Sequence, residues 1–150
     1  MKNFKNIKHF KPSEFSEPEK ISHELLCRLD ALREYLGLSI MITSSTEGEH
    51  VESSQHYLGK AVDVVIPNYQ GSLFSLYLII ERFGFRGIGL YPDWKLRGKK
   101  IGGFHLDVRT VDNYQSAKWI GYKNKLGVTK YSAFSIANLI RMNIITCKKS

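Results

Sequence analysis

His56-Tyr-Leu-Gly59-Lys-Ala61-Val-Asp63-Val-Val-Ile66-Pro67 carries the chain from a polar loop into a buried strand. The residues before it, from Ser44 to Gly59, are polar and loop-like. Ala61 to Ile66 reads as a strand, and Pro67, which has no N–H for a ladder, ends it. Val62, Val64 and Ile66 share one face; Ala61, Asp63 and Val65 share the other. An acid in the middle of such an apolar run is unusual. Gly59 permits a tight turn, so His56 and Asp63 can be folded onto one point. A neutral imidazole and a carboxylate suit a borderline cation such as Zn²⁺. Taken singly, His56 reads as a surface histidine and Asp63 as a satisfied buried acid.

Further along, Gly87-Ile-Gly-Leu-Tyr91 and Gly103-Phe-His-Leu-Asp-Val-Arg109 read as two more strands, joined by a basic turn with Pro92, Asp93 and Gly98. In the second of these, Phe104, Leu106 and Val108 face a core, and His105, Asp107 and Arg109 point the other way. His105 becomes a third candidate ligand. Two histidines and one carboxylate leave a fourth zinc position open, the pattern of a catalytic site rather than a structural one. Before these strands, Ser16-Glu-Pro18 opens a helix that runs to about Leu36, with Ile21, Leu25, Leu29, Leu32 and Leu36 as its buried stripe. Gly37 ends it, and Leu38 to Thr43 reads as a strand. A second helix spans Ser72 to Phe83, stopped by Gly84, and a third covers Ser132 to about Met142. This order implies an α+β domain with a largely antiparallel sheet flanked by helices.

The chain has 150 residues, 43% of them hydrophobic and 24% charged, a balance that excludes a disordered chain and suits one domain over 1–150. Two cysteines, Cys27 and Cys147, make no disulfide framework and no thiolate metal set. No apolar run approaches the ~20 residues that span a bilayer. The basic start, Met1 to Phe10, lacks the apolar stretch of a secretory signal, so the chain is expected to be cytoplasmic as synthesised. Lys+Arg number 22 and Asp+Glu 14, a net charge of +8, with a cluster at Lys95, Arg97, Lys99 and Lys100. That charge favours a polyanion such as an anionic envelope polymer. No zinc-finger, RNP or helix-turn-helix signature accompanies it, so no specific nucleic-acid partner is expected.

Ser54-Gln-His56-Tyr-Leu-Gly59-Lys-Ala61-Val-Asp63 resembles the Ser-x-His-x-x-Gly-x-Ala-x-Asp signature of zinc D-Ala-D-Ala carboxypeptidases and related murein endopeptidases. Phage endolysins that cut L-alanyl-D-glutamate bonds are among them. Lys8-His-Phe10-Lys-Pro-Ser13-Glu-Phe15 is similar to that family's N-terminal segment, and Leu29 to Ser44 to its first helix and strand. Gly87-Ile-Gly-Leu-Tyr-Pro92 with Gly103-Phe-His105-Leu-Asp107 resembles its closing hairpin. The resemblance covers roughly residues 8–122, leaving a helical extension from about 128 to 150. It implies the hedgehog/DD-peptidase fold, zinc held by His56, Asp63 and His105, and hydrolysis of a peptide bond in peptidoglycan stem peptides. Asp107 is then expected to act as general base, Arg109 to hold a substrate carboxylate bidentately, and His50 to serve as an alternative oxyanion donor. Each zinc imidazole should bond a second partner, and for His105 a backbone carbonyl is expected. The missing signal peptide suits a phage lysis protein released by a holin.

Two positions depart from the family pattern. Ser44-Ser-Thr46-Glu47 stands where the family has Ser-Gly-Tyr-Arg, and Lys99-Lys-Ile-Gly-Gly-Phe precedes His105 where many members carry a glutamate. These departures keep a rival open, a non-catalytic zinc-binding module of the same fold, as hedgehog itself illustrates.

Overall fold

The computed structural model describes residues 1–48, 54–110 and 116–145. Its helices are α1 (His23–Leu36), α2 (Leu73–Ile80) and α3 (Ile136–Arg141). Its strands are β1 (Met41–Ser44), β2 (Ala61–Val65), β3 (Gly87–Tyr91), β4 (Lys95–Leu96), β5 (Lys99–Lys100), β6 (Gly103–Asp107), β7 (Ala117–Lys123) and β8 (Thr129–Ala133). Six of the strands form one sheet in the order β1-β2-β6-β3-β7-β8, and β4 pairs with β5 in a separate hairpin. The β3–β7 pairing is parallel and the others in the large sheet are antiparallel, so the architecture is α+β with a mixed sheet.

The core lies on one side of this sheet. Val62, Val64, Ile88, Leu90, Phe104, Leu106 and Ile120 project from it toward Leu25, Leu26, Leu29 and Leu32 of α1 and Leu76 and Ile80 of α2. Each of those α1 leucines is fully buried, a contribution of about 1.5–3 kcal/mol per side chain. The opposite side carries Asp63, Gly87, Gly89, Tyr91, His105, Asp107 and Trp119, paired across strands in register. Period-two alternation therefore separates a packed face from a polar one.

Several element boundaries differ from those expected. The first long helix begins at His23, not Ser16, because Ser16 is engaged elsewhere. Its hydroxyl lies 2.9 Å from those of Ser45 and Thr46 and donates to Glu47. Pro18–Lys20 forms a single 3₁₀ turn, and the Ser22 N–H donates to the Gly59 carbonyl at 2.8 Å. The expected helix over 132–142 is shortened to α3, capped by Ser135, whose hydroxyl accepts from the Asn138 N–H. Residues 129–133 instead pair with β7, and Leu139 and Ile144 join the core. Residues 129–145 are thus built into the domain rather than appended as a helical extension. Cys27 is an exposed thiol, and Cys147 lies outside the described residues. Among the described residues, no helix is long and apolar enough to cross a membrane.

Candidate metal centre

Asp63 and His105 face each other across the β2–β6 pairing, so the sheet register alone sets their side chains side by side. His56 reaches them from the loop ahead of β2. That loop turns at Gly59, where φ is +65° and a Cβ would overlap the Lys20 carbonyl. Only glycine fits there, and the turn holds the His56 imidazole over the strand.

Three donor atoms converge. His56 Nε2 lies 3.1 Å from His105 Nδ1 and 3.3 Å from Asp63 Oδ1, and His105 Nδ1 lies 3.1 Å from Asp63 Oδ1. Donors on a tetrahedron with zinc bonds of 2.0–2.1 Å are separated by about 3.3 Å, which is close to this triangle. His56 is 2% exposed, and the Asp63 and His105 side chains open to solvent only partly. His56, Asp63 and His105 form a group that can hold a metal ion.

The outer nitrogens of both rings are also held. His56 Nδ1–H donates to the Ser45 carbonyl at 2.6 Å, leaving Nε2 as the lone pair. His105 Nε2–H donates to Asp107 Oδ2 at 3.0 Å, leaving Nδ1. Metal-binding histidines are normally fixed in this way, by a carbonyl or carboxylate on the far nitrogen.

The partner of His105 is thus Asp107, not the expected backbone carbonyl. This corrects the reading of Asp107 as a base free to take a proton from water. Its side chain is fully buried and lies over Gly87, where a Cβ would overlap the carboxylate. Arg109 also engages it, Nε donating at 2.9 Å to Oδ1 and Nη2 at 2.5 Å to Oδ2, and the Arg109 N–H donates to Oδ1 at 3.0 Å. The bidentate edge of Arg109 is therefore spent on Asp107, which corrects its expected bidentate grip on substrate. The guanidinium also lies 5.3 Å above the Trp119 ring.

Electrostatics follow the contacts. Burial alone would raise Asp107, but the His105 and Arg109 hydrogen bonds outweigh it and hold the carboxyl well below its ordinary value. Asp63 is likewise lowered against its burial, by His105 and His56. For His105, burial opposes the charged ring, and Asp107 and Asp63 overcome it, so the imidazole pKa rises.

Glu47, in the stretch after β1, is tied back. Its Oε2 accepts from the Ser45 N–H at 3.1 Å and from the Ser16 hydroxyl. Burial is outweighed by these bonds, and its pKa falls to about 2. His50, Glu49 and Glu52 lie outside the described residues.

Sequence reasoning missed Trp119, whose ring packs 5.3 Å from that of His105, and the Ser45 carbonyl. A main-chain acceptor leaves no signature in sequence. The signal for Trp119 was Gly87-x-Gly89, two residues without side chains on the face beside a histidine strand. No protein-family model, curated protein or solved structure matches the chain.

Proposed function

We propose that this protein is a zinc-dependent peptidase of the hedgehog/DD-peptidase type that hydrolyses a bond in bacterial peptidoglycan stem peptides, next to a D-amino acid. The observation that carries the reading is the convergence of His56 Nε2, Asp63 Oδ1 and His105 Nδ1 within 3.1–3.3 Å, each imidazole held from behind by an acceptor. A mixed N₂O donor set suits zinc. Bound there, zinc supplies Lewis-acid chemistry, polarising a carbonyl and acidifying water. Asp107 holds His105 in the tautomer that presents Nδ1, and Arg109 holds Asp107 ionised. Arg109 Nη1, which Asp107 does not engage, remains as a single-point donor for a substrate carboxylate. Release to the cell wall through a holin-type partner is part of the same proposal.

The expected outcome is one equivalent of zinc in the wild type and none in His56→Ala, measured by metal analysis. Mass spectrometry of muropeptides should show zinc-dependent cleavage that a chelator abolishes. Replacing Glu49 and Glu52 one at a time, with zinc content checked, tests each as the proton acceptor, and replacing His50 tests its role as an oxyanion donor. The engagement of Asp107 and the absence of an acid just before His105 favour one second reading, a zinc-binding module without turnover. Full zinc occupancy with no cleavage of any stem peptide selects that reading. Zinc retained after all three ligands are changed to alanine removes both.

A further inference from the structure

Asp107 fixes the His105 ring at its Nε2 edge, but one hydrogen bond does not stop a ring from pivoting about it. The residue opposite on β3, Gly89, pairs with His105 in register and has no side chain to pack against the imidazole. The space is filled from one strand further out. Trp119 pairs with Gly89 across the parallel β3–β7 ladder, and its indole lies over the glycine, where a Cβ would sit 2.6 Å from Cε2 and Nε1. The indole therefore meets the imidazole, with ring centroids 5.3 Å apart and planes at 47°.

The indole is itself held. Its Nε1–H donates to the Tyr91 hydroxyl at 3.0 Å. The Tyr91 ring has little room to give way. It is stacked on Trp94 at 4.3 Å and 17°, and it lies over Gly121, where a Cβ would overlap it. The Arg109 guanidinium sits 5.3 Å over the indole, within cation–π range. The same guanidinium grips both oxygens of Asp107. Trp119 thus touches His105 directly, and it touches the group that holds the anchor of His105.

We propose that Trp119 is a positioning residue of the metal centre, a brace that stands in for the side chain Gly89 lacks and keeps the His105 ring and the Arg109 guanidinium in place. A ligand already fixed in its binding rotamer loses less freedom when an ion arrives, so the brace is read in metal affinity. The proposal rests on the metal centre of the preceding reading and not on its substrate.

The wild type, Trp119→Ala and Trp119→Phe are compared for zinc affinity, by competition with a chromophoric chelator. They are also compared for the visible absorption bands of bound Co²⁺, which follow the geometry of the ligand set. Trp119→Ala should bind zinc roughly tenfold more weakly, the lower end of the range for groups behind a metal ligand, and its Co²⁺ bands should shift. Trp119→Phe returns a ring against the imidazole and the guanidinium, and should recover most of the affinity and the wild-type bands. A residue that only filled space on the sheet would lower the unfolding midpoint and leave the Co²⁺ bands where they were.

Wild-type affinity and bands in a folded Trp119→Ala overturn the brace and leave the metal centre standing. So does a folded Trp119→Phe that binds no better than Trp119→Ala. If Trp119→Ala shows no cooperative unfolding, Tyr91→Phe decides: it removes only the acceptor of the indole N–H, and unchanged affinity and bands there overturn the proposal. A wild type that takes up neither zinc nor cobalt sinks the metal centre itself.

Discussion

Asp107 shows how one side chain is assigned between two roles. A general base must be free to take a proton, whereas Asp107 receives the His105 Nε2–H and is held by Arg109. The positioning role makes a distinct prediction. Asp107→Asn should weaken zinc binding 10–100-fold, measured by competition with a chromophoric chelator, because the ring behind the ligand loses its anchor. A base role would leave zinc affinity intact and lower kcat by 10²–10⁴-fold. The three candidate ligands were legible in sequence because each polar residue interrupts an apolar strand or ends a polar loop at a turn glycine. The role of Asp107 was not legible. Alternation places it on the same face as His105, but nothing local says that Gly87 leaves room for the carboxylate to lie sideways against the ring.

At the scale of elements, the sheet core was readable from alternation in β2, β3 and β6, whose apolar residues fall on one face. The start of α1 was not, since Ser16 and Pro18 carry helix-start chemistry that contacts with Ser45, Thr46 and Glu47 override. Strands β7 and β8 were missed because Lys118, Lys123, Lys130 and Thr129 dilute their apolar pattern, and β7 is fixed by parallel pairing with a distant β3. The glycines of β3 are where element and site meet. Gly87→Ala would set a Cβ against the Asp107 carboxylate, which is buried and cannot swing out to solvent. Such crowding costs about 1–3 kcal/mol. Chemical denaturation should show that loss, and the same variant should lose zinc affinity as Asp107→Asn does. Gly98→Ala is the control. Its φ is +78° with open space around it, so it should cost about 1–2 kcal/mol of backbone strain and leave zinc binding untouched.

At the scale of the whole molecule, one ion-pair bridge ties the helical layer to the end of the strand that carries the site. Glu24 in α1 accepts from Arg86 at 2.7 and 3.1 Å and from Arg28 at 2.7 Å. Arg86 in turn donates to the carbonyls of Val108 and Arg109, just beyond β6. The Arg86 hydrogen bond is the largest cause holding the Glu24 pKa at about 2, below its ordinary value of 4.5. A folded-state pKa below the unfolded one gives stability that is complete above about 4.5 and is lost as pH falls toward 2. Glu24 is 44% exposed, so screening limits the effect to the surface-pair scale of about 0.2–1 kcal/mol. Glu24→Gln should therefore lower Tm at neutral pH by at most about 4 °C. That difference should shrink below pH 4.5 and vanish near pH 2, and added salt should reduce it. Glu47, also held at about 2, acts in the same window, so the variant should keep a residual acid slope. A Tm difference of constant size from pH 7 to pH 2 would show that Glu24 stabilises through packing of its stem against α1 rather than through charge.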